Sequence, residues 1–305
     1  MKRTITGVVF FALNCFAALT SCKKNENTNN TNSAVLKTIQ SDPTLSIFSA
    51  IEAKSGDNEL FTNGYSYAVP EDNSFISEGI SSTSIQNLSQ ATCDSIIRYF
   101  TIPSVINFNG TANTEISLAT SLTGAKLYAD STATGIYFNG VLTDATPVTS
   151  GSSVIYKLMD APPLPQPSIT AITASDPDLS LFNEAITRTN LSSNFTNGNY
   201  TLLMPNNNAF INAGYPDIAS IDSADINVLT QLLFYHVIPN TFFTQDMALQ
   251  SNLNTLQGGN IAIDNSSSVL QLKGNSDPMT PAVILSKGIP AGNVVAFKIS
   301  QVLIP

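Results

Sequence analysis

The stretch Ser175-Asp176-Pro177-Asp178-Leu179-Ser180-Leu181-Phe182 repeats an earlier one, Ser41-Asp42-Pro43-Thr44-Leu45-Ser46-Ile47-Phe48. Phe195-Thr196-Asn197-Gly198 matches Phe61-Thr62-Asn63-Gly64 at the same offset. Leu202 to Phe210 then matches Tyr67 to Phe75, and Tyr235-His236-Val237-Ile238-Pro239 matches Tyr99-Phe100-Thr101-Ile102-Pro103. Val295-Ala296-Phe297-Lys298-Ile299 resembles Val154-Ile155-Tyr156-Lys157-Leu158. Matches that keep their order and spacing over most of two long segments mark a duplicated structural unit.

The segment between the copies, Ala161-Pro162-Pro163-Leu164-Pro165-Gln166-Pro167, favours extended polyproline II and predicts a semi-rigid spacer. The expected organisation is a first domain over 34–161, a linker over 162–167 and a second domain over 168–305. The chain's 305 residues suit two domains of roughly 150 each.

The second copy reads clearly. Leu179, Phe182, Ala185 and Ile186 have helical spacing after a Ser-Asp-Pro start signal, predicting a helix from Asp178 to Thr189. Tyr200 to Met204 reads as a strand stopped by Pro205, and Asn206 as the cap of a short helix. Asp225 is expected to cap a helix with Ile226, Leu229, Leu232 and Leu233 on one face. Leu253 to Ile263, around Gln257-Gly258-Gly259-Asn260, reads as a hairpin. Val269 to Lys273, Val283 to Leu285 and Val294 to Ile299 supply further strands. Helices early and strands late imply an α+β layout, not alternating βαβ units.

The start of the chain reads as a targeting segment. Lys2 and Arg3 precede an apolar run from Ile5 to Leu19, of signal-peptide length and short of the roughly 20 residues a membrane span needs. Leu19-Thr20-Ser21-Cys22 resembles a bacterial lipobox, so residues 1–22 are expected to be a lipoprotein signal with Cys22 as the lipid attachment site. Residues 23–33 contain no apolar side chain and are expected to act as a flexible tether. Cys93 is then the one free thiol of the exported chain, and no intrachain disulfide can form. Localisation is expected at the outer membrane or cell surface, with the membrane engaged through the lipid.

The motifs of the second copy resemble the fasciclin (FAS1) domain. They are Thr201-Leu202-Leu203-Met204-Pro205-Asn206-Asn207-Asn208-Ala209-Phe210, then Leu232 to Pro239 around Tyr235-His236, then Leu253 to Ile261 around Gly258-Gly259, and finally Asn293 to Pro305. The first copy is a divergent version, tied to the family mainly through the repeat. The resemblance implies two tandem modules, each a wedge-like β-sandwich with helices around one end. It also implies a binding or adhesion role and no enzymatic one. The family often carries a histidine near Phe297, and Phe100 stands where a histidine would be expected, so partner surfaces built on those histidines are not expected here.

Charged residues make up 11% of the chain, against about 25% in an average soluble protein. The net charge of −9 argues against nucleic acid, whose backbone needs clustered Lys and Arg. No metal or cofactor is expected. His236 is the single imidazole, so any acid–base mechanism must pass through it, and no Gly-x-Ser-x-Gly elbow is present. The copy holding Phe100 at the matching position points to packing plus one hydrogen bond. Tyr235, His236 and Val237 are therefore a candidate structural or partner-contact motif, and no catalytic residue is assigned. Cys93 reads as a small buried apolar residue. Asp176-Pro177-Asp178 and Asp222-Ser223-Ala224-Asp225 read as helix starts, lacking calcium-loop spacing. The sequence thus favours a lipid-anchored module recognising a glycan or a protein. A ligand-free structural component of the envelope and, more remotely, a hydrolase are the alternatives.

Overall fold

The computed structural model describes residues 33–108, 113–144, 146–195, 198–276 and 280–305. The expected signal segment, Cys22 and all of the tether before Ser33 lie outside the described residues. The first unit contains helices α1 (Ala34–Ser41), α2 (Ser46–Ser55), α3 (Asp72–Ser77) and α4 (Gln90–Tyr99). Its strands are β1 (Ser66–Pro70), β2 (Thr101–Ile102), β3 (Asn113–Thr120), β4 (Lys126–Thr132), β5 (Gly135–Phe138), β6 (Val141–Leu142), β7 (Val148–Ser150) and β8 (Ser153–Leu158). The second unit contains α5 (Ile169–Ser175), α6 (Ser180–Arg188), α7 (Asn207–Asn212), α8 (Ile218–Ser223), α9 (Ile226–Tyr235) and α10 (Thr244–Met247). Its strands are β9 (Tyr200–Pro205), β10 (Val237–Ile238), β11 (Asn252–Asn254), β12 (Asn260–Asp264), β13 (Gln271–Lys273), β14 (Ala282–Val283), β15 (Ile289–Ala291) and β16 (Val294–Ile299).

The two units have the same topology. One sheet runs β2-β1-β8-β7 in the first and β10-β9-β16-β15 in the second. The central pairs, β1 with β8 and β9 with β16, are parallel, and their neighbours are antiparallel. The other sheets, β3-β4-β5-β6 and β11-β12-β13-β14, are antiparallel meanders. Registers agree with the sequence repeat: Tyr67 faces Ile155 and Leu202 faces Ala296, while Pro70 faces Leu158 and Pro205 faces Ile299. The fold is α+β, with two tandem units of like topology.

The repeated Ser-Asp-Pro motif has a local cause. Asp42 and Asp176 each accept the backbone N–H two residues on, at 2.9 and 3.0 Å, over a 3-10 turn that opens with proline. Proline lacks the N–H that such a start would leave unpaired. The next helix is then tied to the following one from a distance. Asp72 accepts the Ile47 N–H at 2.8 Å, and Asn207 accepts the Leu181 N–H at 3.0 Å. Asn206 caps α7 through the Ala209 N–H, and Asp225 caps α9 through Asn227 and Val228. Asp222, in contrast, lies inside α8, whose cap is Asp217.

Three further details differ from the sequence reading. Leu229 and Leu233 of α9 are buried, but Ile226 is 46% exposed, because the first turn projects beyond the core. Strand β15 was not anticipated, since Ile289-Pro290-Ala291 is too short to show alternation. The proline segment is packed and not a free spacer: Gln166 donates to Pro290 O at 2.8 Å and pairs in parallel with Ala291, while Leu164 packs against the first core. No helix among the described residues is long and apolar enough to cross a membrane.

Candidate functional site

Tyr235, His236 and Val237 sit where α9 hands over to β10, and their exposures are 0%, 1% and 0%. His236 ends the helix, its N–H donating to Leu233 O at 2.9 Å. Its own carbonyl accepts the Leu203 N–H at 2.9 Å, joining α9 to the central sheet. Phe100 O accepts the Ala68 N–H at 3.0 Å in the same way, so the backbone role of this position is common to both units.

The imidazole adds a further tie. Nε2 lies 2.9 Å from the Leu303 N–H and must accept it, while Nδ1 lies 2.8 Å from Leu232 O and must donate. The ring is therefore fixed as the neutral Nδ1–H tautomer. Burial pushes its pKa down to about 4, against the Leu232 hydrogen bond. An imidazole with both nitrogens committed to backbone has no free lone pair for proton abstraction. The Tyr235 hydroxyl donates to Asn260 O and accepts the Asn275 N–H at 3.1 Å. The triplet thus clamps the helix, the hairpin and the C-terminal strand-tail together, and presents no side chain at the surface.

The other candidates are also absorbed by packing. Cys93 is fully buried on α4, and burial raises its pKa. Asp176 and Asp178 face Lys298 Nζ at 2.7 and 3.6 Å, so a lysine occupies the space between those carboxylates.

A junction between the two units emerges that sequence reading did not find. Tyr128 of β4, 2% exposed, belongs to the second unit's apolar core, with its ring centroid 5.7 Å from that of Phe243. Lys126 hydrogen-bonds Asn293. Lys287 reaches back to Glu78 at 3.0 Å, Asp160 at 2.8 Å and Ala161 O at 2.9 Å. Beside these contacts lies an open cleft of about 690 Å³, lined by Leu142 and Met159 on one side and Leu285 and Phe297 on the other. Asp130 and Asp246 are buried at the same junction, 1% and 7% exposed. The available sequence signal was a carboxylate in β4, a strand whose last six residues are all buried. Asp246 lies on α10 of the other unit, where no local pattern points to it.

The two α+β modules thus share a buried junction, and the His236 imidazole is spent on packing. The Fasciclin domain family matches residues 177–305, the second unit of the chain. Fasciclin domains occur in adhesion-related proteins. Among solved structures, a FAS1 domain pair from the insect cell adhesion molecule fasciclin I aligns over 88% of this chain and 96% of that chain, at 11% identity and a TM-score of 0.42. No curated protein matches the chain.

Proposed function

We propose that the protein is a lipid-anchored, extracytoplasmic binding module that recognises an envelope or extracellular glycan or protein. One observation carries this reading: two like units are held in a fixed relation by a buried junction centred on Tyr128 and Phe243. Fixed spacing lets two weak contacts act as one stronger attachment when both engage. The Cys22 anchor and the polar tether would hold this body just off a membrane. Recognition would rest on hydrogen bonding by Asn, Ser, Thr and Tyr, because charged residues are sparse.

The test has two arms. Cys22→Ser in the full chain should move the protein from the membrane fraction to the soluble one. The purified chain applied to glycan and envelope-protein arrays should give saturable binding to one partner class. Clean arrays, together with an envelope-integrity defect on gene deletion, would replace this reading with a structural component lacking a discrete ligand.

A further inference from the structure

The chain contains four Asn-Gly pairs, beginning at Asn63, Asn109, Asn139 and Asn197. Asn109 and Asn197 lie outside the described residues, and the other two sit in opposite surroundings. An asparagine followed by glycine is open to an uncatalysed reaction. The glycine nitrogen attacks the asparagine Cγ, because no Cβ on the glycine shields it. An N–Cγ bond forms, the Cγ–Nδ2 bond breaks, and Nδ2 leaves as ammonia with the proton of the glycine N–H. Water then opens the cyclic imide at either carbonyl, leaving aspartate or isoaspartate with no change of oxidation state. The geometry at the asparagine decides whether the ring can close.

Asn63 stands exposed before Gly64, which turns the chain at φ 84. Its Oδ1 lies over Gly151, where an added Cβ would come within 2.6 Å of it, but among the described residues no hydrogen bond holds its amide. The Gly64 N–H is likewise without a partner among them. Asn139 is 2% exposed at the tip of the β5–β6 hairpin, with φ 48 beside φ 76 at Gly140. Positive φ at both positions is the type I′ turn that Asn-Gly favours. The Asn139 Oδ1 accepts the Tyr128 N–H at 2.9 Å, and its Nδ2 donates to the Tyr99 hydroxyl at 2.6 Å. An added Cβ at Gly140 would meet Phe243 Cδ1 at 2.6 Å, so the second unit presses on the tip. Turning the Asn139 amide onto the Gly140 nitrogen would break both hydrogen bonds, and the resulting carboxylate would be buried.

We propose that Asn63 is a site of spontaneous deamidation, and that the junction between the units keeps the same reaction silent at Asn139. Each event at Asn63 adds a negative charge to a chain already at −9, on a loop where water solvates it. The iso product also lengthens the backbone by a methylene beside Thr62, whose carbonyl accepts the Tyr67 and Ser153 hydroxyls at 2.9 and 3.1 Å. At Asn139 the reaction must wait for the hairpin tip to lift off Phe243. Its rate there follows the population of the open junction.

The test incubates the full chain in mildly alkaline buffer at physiological temperature, both native and in urea. Peptide mapping by mass spectrometry follows each asparagine, with fragmentation that separates aspartate from isoaspartate. Native Asn63 should convert within about tenfold of its rate in urea, whereas native Asn139 should lag its own urea rate by roughly a hundredfold or more. Phe243→Ala removes the ring that presses on Gly140. In that variant Asn139 should convert about tenfold faster or more than in the native wild type, while Asn63 keeps its wild-type rate and serves as the control within the same molecule. Should Phe243→Ala fail to fold by circular dichroism, Phe243→Leu is read in its place, with the same outcomes expected in smaller degree. Native Asn63 as strongly protected as Asn139, or native Asn139 converting at its urea rate, would overturn the proposal. So would a folded Phe243 variant in which Asn139 converts no faster than in the wild type.

Discussion

Lys298 Nζ lies 2.7 Å from Asp176 Oδ2, and the same bond recurs in the other unit, where Lys157 Nζ lies 3.3 Å from Asp42 Oδ2. The aspartate is the one that starts the 3-10 turn before the long helix, and the lysine is on the last strand of the central sheet. The bond therefore closes each unit from its beginning to its end. Duplication kept the whole device: cap, proline, lysine and strand register.

Lys298→Met should destabilise the chain by about 1 kcal/mol, since the pair is half-buried and partly screened. Lys298 is 21% and Asp176 32% exposed in their side chains, and Asp178 at 3.6 Å shares the charge. A double-mutant cycle with Asp176→Asn, read by urea denaturation, should give a coupling energy smaller than either single loss. The reason is that Asp176 also caps the Asp178 N–H.

His236→Ala should cost about 2–4 kcal/mol at pH 7.5, from the cavity and from the Leu303 N–H left without its acceptor. His236→Phe should cost less, because it refills the space, as Phe100 does in the first unit. The ring's pKa falls from 6.5 to about 4 on folding, so its contribution is present above 6.5 and lost as pH falls through about 4. The shift corresponds to on the order of 3 kcal/mol. The stability gap between wild type and His236→Phe should therefore narrow as pH drops across that window. A constant gap would show that folding does not change the ring's affinity for a proton.

The sequence reading succeeded where a signal is local or repeated. The Asp-Pro start, the Asn206 cap and the Gly258-Gly259 hairpin each satisfy backbone groups within a few residues, and each was legible. The first unit's sheets were legible only by analogy with the second. The junction was not, because Tyr128, Phe243, Lys287 and Asp160 gain their meaning from a partner in the other copy. A duplicated sequence explains each copy, while contacts between copies are particular to this chain. Ile226 was misplaced for a related reason: helical spacing identifies an apolar stripe but not where the core stops.

The two glycines of the hairpin should fail differently. Gly258 has φ +103 with nothing within 4 Å of an added Cβ, so Gly258→Ala bears backbone strain alone, about 1 kcal/mol. At Gly259 an added Cβ would meet Tyr235 Cε2 at 2.8 Å and Gln257 Oε1 at 3.1 Å. Tyr235 cannot retreat, being fully buried and tied to Asn260 and Asn275. Gly259→Ala should therefore cost about 1–3 kcal/mol as an overpacking change. Combining it with Tyr235→Leu, which frees the space of the distal ring, should recover part of the loss in thermal melts. Equal costs at the two glycines, with no recovery, would count against the clamp.

Tyr128→Ala should act on both units at once. Tyr128 is a residue of the first unit that fills the second unit's core, so its removal opens a cavity beside Phe243 and exposes Phe243 at the junction. The cost should be about 3–5 kcal/mol, the range for truncating a large buried aromatic. The melting curve carries more information than the size of the loss. The wild type should unfold in a single transition, because neither unit can open without disturbing the shared core. With the tyrosine gone, the loss falls mainly on the contact between units, and calorimetry should resolve two transitions. Tyr128→Phe separates packing from polarity. The hydroxyl is buried without a hydrogen-bond partner, so its loss should leave the single transition intact. Two transitions in the wild type, or a single one in Tyr128→Ala, would show that the units are coupled through some other contact, such as Lys287 with Asp160.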